Sequence, residues 1–381
     1  MRKIAIITGT RADYGIYSSV IRAIDSQNTL SFEIIVAGMH LLTEFGSTWR
    51  LIEDDGFKIF AKVQTPYDDD THLAMAKNIG VMTERFADIF SKMKPNIILV
   101  LGDRSEMLAA STAAVYLGLS IAHIHGGDVS GTVDEIARHA ITKLSHLHFA
   151  VTKNSAERIK KLGENPHNIF NVGAPGLDTI LNQDLPSKDE VAEFLGIDMA
   201  KRIILVVQHP DTSQADMAAQ QLTITLNSIK DFNLSKIIIH PNSDVGGRAM
   251  TQVIKKFSKL DDFHSHESLS HKIYLGLLRE SALLVGNSSS GIIEAASFKK
   301  PVINIGERQA RRESGENVIN VHHEKNEIIN AINTALFDKE FRQKVNNCIN
   351  PYGDGRSGER IAKVLSSAVI DRKLFAKQLT Y

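Results

Sequence analysis

Short β-branched runs alternate with longer amphipathic stretches almost from end to end of this chain, and few folds are compatible with that rhythm. In the first half the runs predict strands over Lys3–Thr8, Phe32–Ala37, Ile97–Leu101, Ile121–Ile124, Leu147–Val151 and Ile169–Val172. Helical periodicity between them predicts helices over Gly15–Ser26, Leu73–Met93, Glu106–Leu117 and Val133–Ser145. The second half repeats the pattern, with strands expected over Arg202–Val207, Lys236–Ile239, Leu283–Val285 and Pro301–Ile305. Helices are expected there over Gln214–Lys230, Gly246–Leu260, Ser270–Ser281 and Gly291–Phe298. The strand runs are almost continuously apolar, the mark of a sheet buried on both faces. Doubly wound α/β layers, parallel strands covered by helices, are the expected architecture.

The chain has 381 residues, more than one hydrophobic core usually serves, so two domains are expected. The alternation pauses at Leu181–Ala200, where polar residues, Pro186 and Gly196 accumulate. The boundary is placed there, with one domain over residues 1–182 and another over 201–350. The stretches Glu324–Val345 and Glu359–Leu374 read as helical, and the segment from 351 to 381 is expected to pack back onto the first domain. Lys plus Arg and Asp plus Glu both total 44, so no global charge draws the chain to nucleic acid or an anionic membrane. A single cysteine, Cys348, excludes an internal disulfide framework and suits the reducing cytoplasm. The apolar run Ile4–Ile7 is too short for a signal peptide, and no stretch is long enough to span a bilayer.

In open α/β sheets, ligands collect beyond the carboxyl ends of the strands, and the informative residues lie there. The first strand runs into Thr8-Gly9-Thr10-Arg11-Ala12-Asp13-Tyr14-Gly15, where free amides and the Arg11 fork suit a phosphate. A capping turn with a surface arginine reads equally well, because the third glycine of the dinucleotide fingerprint is missing. The stretch Gly286-Asn287-Ser288-Ser289-Ser290-Gly291-Ile292-Ile293-Glu294 is a stronger signal. One helix cap needs one serine, whereas three beside two glycines favour a phosphate cradle, with Glu294 placed to accept from a ribose diol. One such turn in each half points to a ligand held in a cleft between two domains.

Proton-transfer candidates follow the central strands. Asp103 and Arg104 end one strand, and His123-Ile124-His125-Gly126-Gly127-Asp128 ends the next. Asp134 and Arg138 stand four apart on one helical face and can pair, as a catalytic unit or as a structural ion pair. His123 and His125 fall on one face of a strand, but no supporting Cys or clear Glu set accompanies them, so no metal is expected. His146 and His148 read as structural; the His264/His266 and His322/His323 pairs read as surface or packing residues.

Taken together, these segments resemble the hydrolysing UDP-N-acetylglucosamine 2-epimerases, from residue 1 to about residue 370. The resemblance rests on Gly9-Thr10-Arg11-Ala12-Asp13-Tyr14, on Gly102-Asp103-Arg104, and on Gly126 through Asp134 leading to Arg138-His139-Ala140-Ile141-Thr142-Lys143. It continues through Gln208-His209-Pro210, Gly286-Asn287-Ser288-Ser289 to Glu294, Pro301-Val302-Ile303-Asn304, Arg308-Gln309, Ser314-Gly315-Glu316-Asn317 and Tyr352-Gly353-Asp354-Gly355. It implies two Rossmann-like domains facing across a cleft, the glycosyltransferase-B arrangement, with UDP mainly on the second. By the same analogy Arg11, Arg104, His209, Asn242, Ser288, Ser289 and Arg308 would bind the diphosphate or sugar, and Glu294 the ribose. Asp103, Asp134 and Arg138 match catalytic positions of the family, which needs no nicotinamide and no obligatory metal. A homodimer or homotetramer is expected. His125 departs from the glutamate of members acting on UDP-N-acetylglucosamine, and resembles the branch serving UDP-2,4-diacetamido-2,4,6-trideoxy sugars in nonulosonate synthesis.

The implied reaction loses UDP from C1, removes the C2 proton to give a glycal, then adds water at C1 and a proton to the opposite face of C2. Asp103, Asp134 and His125 are candidates for those proton transfers, in no fixed order. A glycosyltransferase of the same fold and a non-catalytic nucleotide-sugar sensor are the alternative readings.

Overall fold

In the computed structural model the described residues are 1–43, 46–67, 71–129, 133–182, 184–241, 245–309 and 312–381, the side chains of 72, 133, 134, 212 and 213 excepted. Two compact units emerge. The first comprises Met1–Val129, Val133–Thr179 and Tyr352–Tyr381, and the second Ile180–Pro351.

The first unit is built on seven parallel strands: β1 (Arg2–Thr8), β2 (Leu30–Ala37), β3 (Ile59–Val63), β4 (Ile97–Leu101), β5 (Ser120–Ile124), β6 (Leu147–Ala150) and β7 (Ile169–Asn171). Their order is β3-β2-β1-β4-β5-β6-β7. Successive residues of β1 feed opposite layers: Ile4 and Ile6 pack with Tyr17, Ile21 and Ile361, while Ala5 and Ile7 pack with Phe86, Phe90 and Met107. The C-terminal helix Ser357–Ser367 thus closes one face of this sheet through Ile361 and Leu365. Asp178 anchors its start by accepting from the Ser357 and Gly358 amides at 2.9 and 2.6 Å.

The second unit has β8 (Ile203–Val207), β9 (Ser235–Ile239), β10 (Phe263–His266), β11 (Leu283–Gly286), β12 (Val302–Ile305) and β13 (Val318–Val321), ordered β10-β9-β8-β11-β12-β13. Ile204 and Val206 face one core, and Ile203, Leu205 and Val207 the other. The stretch expected as a pause contains a helix, Lys188–Leu195, with a complete capping box between Ser187 and Glu190. Its Val191 and Leu195 join the second unit's core, so these residues are part of that domain. The helices Lys325–Phe337 and Lys339–Asn347 also belong to this unit, divided by Asp338, which caps the second of them.

In both sheets the order of strand addition reverses at one place, between β1 and β4 in the first and between β8 and β11 in the second. Crossovers leave on opposite sides there, which opens a crevice at the carboxyl edge of each sheet. The phosphate-cradle and proton-transfer candidates singled out in the sequence after β1, β4, β5, β8 and β11 lie at those carboxyl ends.

Candidate active site

The turn after β1 is capped by Thr10, whose hydroxyl accepts from the Asp13 amide at 3.2 Å. Arg11 is the first residue of helix Arg11–Asp25 and is exposed. Asp13 turns back to accept from the Gly9 amide at 3.2 Å. Burial pushes its carboxyl up to about 6, with Arg104 pulling the other way. Arg104, after β4, lays its guanidinium along Glu106, with Nε 3.2 Å from one carboxylate oxygen. Glu106 itself is 2 % exposed. Arg104 is expected from the sequence to bind the substrate, and Glu106, which the sequence does not single out, is the residue its guanidinium lies against. His40 bridges Thr8 and Thr48 at 2.9 Å on either ring nitrogen, and burial drops it to about 4, so it is neutral at physiological pH.

Asp103, two residues past β4, pairs with Arg138 of helix Val133–Leu144. Arg138 also donates to the Asp128 carbonyl at 3.0 Å. The expected Asp134–Arg138 pairing falls outside the described side chains; the ion pair seen at Arg138 joins two separate elements. His123 and His125 do not share a face. Strand β5 ends at Ile124, and His125 sits in the left-handed region at φ +63°, which swings its side chain out of the strand's alternation. His123 stays inside, Nε2 at 2.7 Å from the Gly102 carbonyl and Nδ1 at 3.2 Å from the Thr142 hydroxyl. Burial holds it at about 3, an uncharged packing residue. His125 Nδ1 instead lies 2.9 Å from Asp128 Oδ2. Burial works to raise Asp128, but the hydrogen bond and charge of His125, with Arg138 and Ser155, hold it at about 2.

The second unit offers a different chemistry. Gly286 leaves β11 at φ +139°, and a Cβ there would stand 2.1 Å from the Val207 carbonyl oxygen of β8, so the close approach requires glycine. That approach lets the Asn287 amide clamp the end of β8: it accepts from the His209 amide at 2.7 Å and donates to the His209 carbonyl at 2.9 Å. Arg308 and Gln309 both donate to the Asn287 carbonyl, at 3.1 and 3.2 Å. His209 is lowered to about 4 by burial and by the Arg308 charge, hence neutral at pH 7. Ser288 caps the short helix Ser289–Ile293 by accepting from the Ser290 amide. Tyr274, Ser290 and Glu294 form a relay of 2.6 Å hydrogen bonds, and His271 reaches the other Glu294 oxygen at 3.4 Å. Asn242 lies outside the described residues.

Asp128, Glu106, Asn287 and Tyr274 are bonded to residues of the candidate site and are not singled out by the sequence. Asp128 and Asn287 stood within quoted motifs, so the signal was present; Tyr274 lies in an ordinary amphipathic helix and gives none. Among the described residues, no group of three or more His, Cys, Asp or Glu is placed to hold a metal ion, and no helix is long and apolar enough to cross a membrane.

Two doubly wound domains, one with paired ionisable residues and one with a Gly-Asn-Ser turn at its switch point, define a Rossmann-like two-domain architecture suited to a nucleotide-bearing ligand. Comparison with known proteins makes the assignment specific. The family model described as UDP-N-acetylglucosamine 2-epimerase matches residues 22–366, and the chain belongs to that family. It is 38% identical over 381 residues, all of both chains, to the hydrolysing UDP-N,N'-diacetylbacillosamine 2-epimerase of Legionella pneumophila. It is 35% identical to polysialic acid biosynthesis protein P7 of Escherichia coli, covering 92% of this chain and 90% of that one. The crystal structure of the Neisseria meningitidis UDP-GlcNAc 2-epimerase bound to UDP-GlcNAc superposes with a TM-score of 0.82 at 20% identity, over 96% of this chain and 99% of that one. The chain is an enzyme of the hydrolysing sugar 2-epimerase type.

Proposed function

We propose that the substrate is a UDP-linked 2,4-diacetamido-2,4,6-trideoxyhexose, converted to UDP and the free sugar inverted at C2. The observation that carries the choice of sugar is His125, joined to the full-length likeness to the Legionella enzyme named for a diacetamido substrate. UDP-N-acetylglucosamine, which carries a 4-hydroxyl, is the competing substrate. The free product would feed sialic- or legionaminic-type nonulosonate synthesis. A cytoplasmic setting agrees with Cys348 being free and buried.

In this reading Ser288, Ser289, His209, Asn242, Arg308 and Arg11 hold the diphosphate, Glu294 the ribose, and Arg104 the sugar side of the ligand. Contacts to the diphosphate strengthen as UDP departs with its charge, which favours the transition state over the bound substrate. Positive charge on the ring then acidifies C2. Asp103, Asp134 and His125 carry the proton transfers, and Arg138 pairs with Asp103. The proposed assembly is a homodimer or homotetramer, readable by light scattering.

The test is incubation of the enzyme with each UDP-sugar and no acceptor, followed by NMR of the products. Release of UDP with a C2-epimerised free sugar, faster from the diacetamido substrate, supports the reading. Discrimination of roughly ten- to a hundredfold in kcat/KM is expected from one buried polar group gaining or losing its partner. Turnover only on adding an acceptor would make the protein a glycosyltransferase, and binding without consumption a sensor.

A further inference from the structure

Four observations converge on Asp128, which the reaction as described leaves without a role. His125 holds a left-handed backbone, φ +63°, that a side chain rarely adopts and that surrounding structure must enforce. The next residue but one, Gly127, is also left-handed, and a Cβ on it would stand 2.4 Å from the Ser155 carbonyl oxygen, so the turn is pressed against helix Lys153–Lys161. That turn delivers Asp128 Oδ2 to 2.9 Å from His125 Nδ1, both side chains being only 12% accessible. The other carboxylate oxygen, Oδ1, accepts from the Ser155 hydroxyl at 2.7 Å, and Arg138 donates to the Asp128 carbonyl at 3.0 Å.

We infer that Asp128 is a positioning residue that fixes His125 as its Nδ1–H tautomer, leaving Nε2 bare as the base that removes the C2 proton. A free neutral imidazole is not committed to one tautomer; a carboxylate against Nδ1, itself held from two sides, commits it. Ser155 sets the carboxylate's plane, and Arg138 ties the same turn to Asp103, so base and second carboxylate are held by one arginine. The step balances without any co-reactant. Nε2 takes the C2 proton, the C2–H pair becomes the C1–C2 double bond, and the C1–O pair leaves on the diphosphate oxygen of UDP. The imidazolium formed is stabilised by the Asp128 carboxylate at Nδ1 and returns its proton to solvent. This inference rests on the reading that C2 is deprotonated during turnover.

The test is nitrogen NMR of histidine-labelled enzyme, the His125 signals being identified by their loss in His125→Gln. The proton is expected on Nδ1 in the wild type and on Nε2 in Asp128→Asn, whose amide can donate to Nδ1. In the same variant kcat is expected to fall on the order of 10²- to 10⁴-fold with KM within about threefold, the pattern of a misdirected base. Ser155→Ala should keep the wild-type tautomer and lose less than about tenfold, one ordinary hydrogen bond. A wild-type proton on Nε2, or Asp128→Asn with undiminished kcat, overturns the inference; the first result does not depend on the Asp128 variant folding. If the wild type consumes no UDP-sugar, the underlying reading and the base role fail together. The ring tautomer would still decide whether Asp128 sets His125.

Discussion

The two switch points share a topology and differ in what they hold. Beyond β1, β4 and β5 the side chains are ionisable and paired: Asp103 with Arg138, Arg104 with Glu106, and His125 with Asp128. Beyond β8 and β11 the contacts are mainly neutral, an Asn287 amide bonded to both the N–H and the C=O of His209 and a serine capping a short helix, with Arg308 donating to the Asn287 carbonyl. Paired charges in a half-buried setting can exchange protons with a reacting carbon. Neutral amides and hydroxyls offer an anion fixed dipoles without a proton to lose. The comparison therefore predicts that damage to the first domain appears in kcat, and damage to the second in UDP affinity.

The largest expected effect is at Asp103. Asp103→Asn removes the charge that faces Arg138, and kcat should fall about 10²- to 10⁴-fold while calorimetric UDP affinity stays within about twofold. An equal loss in both quantities would break the division between the domains. His125→Gln comes next, lowering kcat by about a hundredfold or more on every accepted substrate if the ring is the base. His125→Glu separates recognition from catalysis: preference moving to UDP-N-acetylglucosamine with kcat largely kept would make His125 a specificity residue, measured as kcat/KM on both sugars. In the second domain, Ser288→Ala with Ser289→Ala should weaken UDP binding several-fold to about a hundredfold, at 0.5–1.5 kcal/mol for each ordinary hydrogen bond. Saturating kcat should change little, and wild-type affinity would place the phosphates elsewhere.

The last effect concerns stability and not turnover. The folded protein holds the Asp13 proton up to about 6 against an ordinary value of 3.8, so folding favours the protonated form. Stability from this group is greatest below 3.8, declines as pH rises through 3.8 to about 6, and is flat above. Asp13→Asn keeps an acceptor for the Gly9 amide and removes that decline, for a gain relative to wild type of up to about 3 kcal/mol between pH 4 and 7. Thermal melts at the two pH values measure it, and a difference that shrinks as pH rises contradicts the sign.

What was legible in the sequence follows from where burial is two-sided. The central strands β1, β4, β5, β8 and β11 are buried along nearly their whole length and read as unbroken apolar runs. The strands that escaped notice are β3, β10 and β13, each at a sheet edge with most residues partly exposed, as in Phe263-His264-Ser265-His266. Helix Lys153–Lys161 was missed for a similar reason, since among its residues only Ser155 and Ile159 are buried. At the site, residue types pointed to Asp103 and Arg138, but their pairing joins positions 35 apart and needs the fold. The divergence of His123 from His125 depends on one backbone angle, which no strand periodicity contains.

The most direct test of the central claim is the reaction run in deuterated water and followed by proton and carbon NMR. Removal of the C2 proton followed by delivery from the opposite face predicts UDP and a free sugar that is inverted at C2 and carries deuterium there. UDP released with a sugar that keeps its C2 configuration and its original proton would mean simple hydrolysis, and would contradict the account.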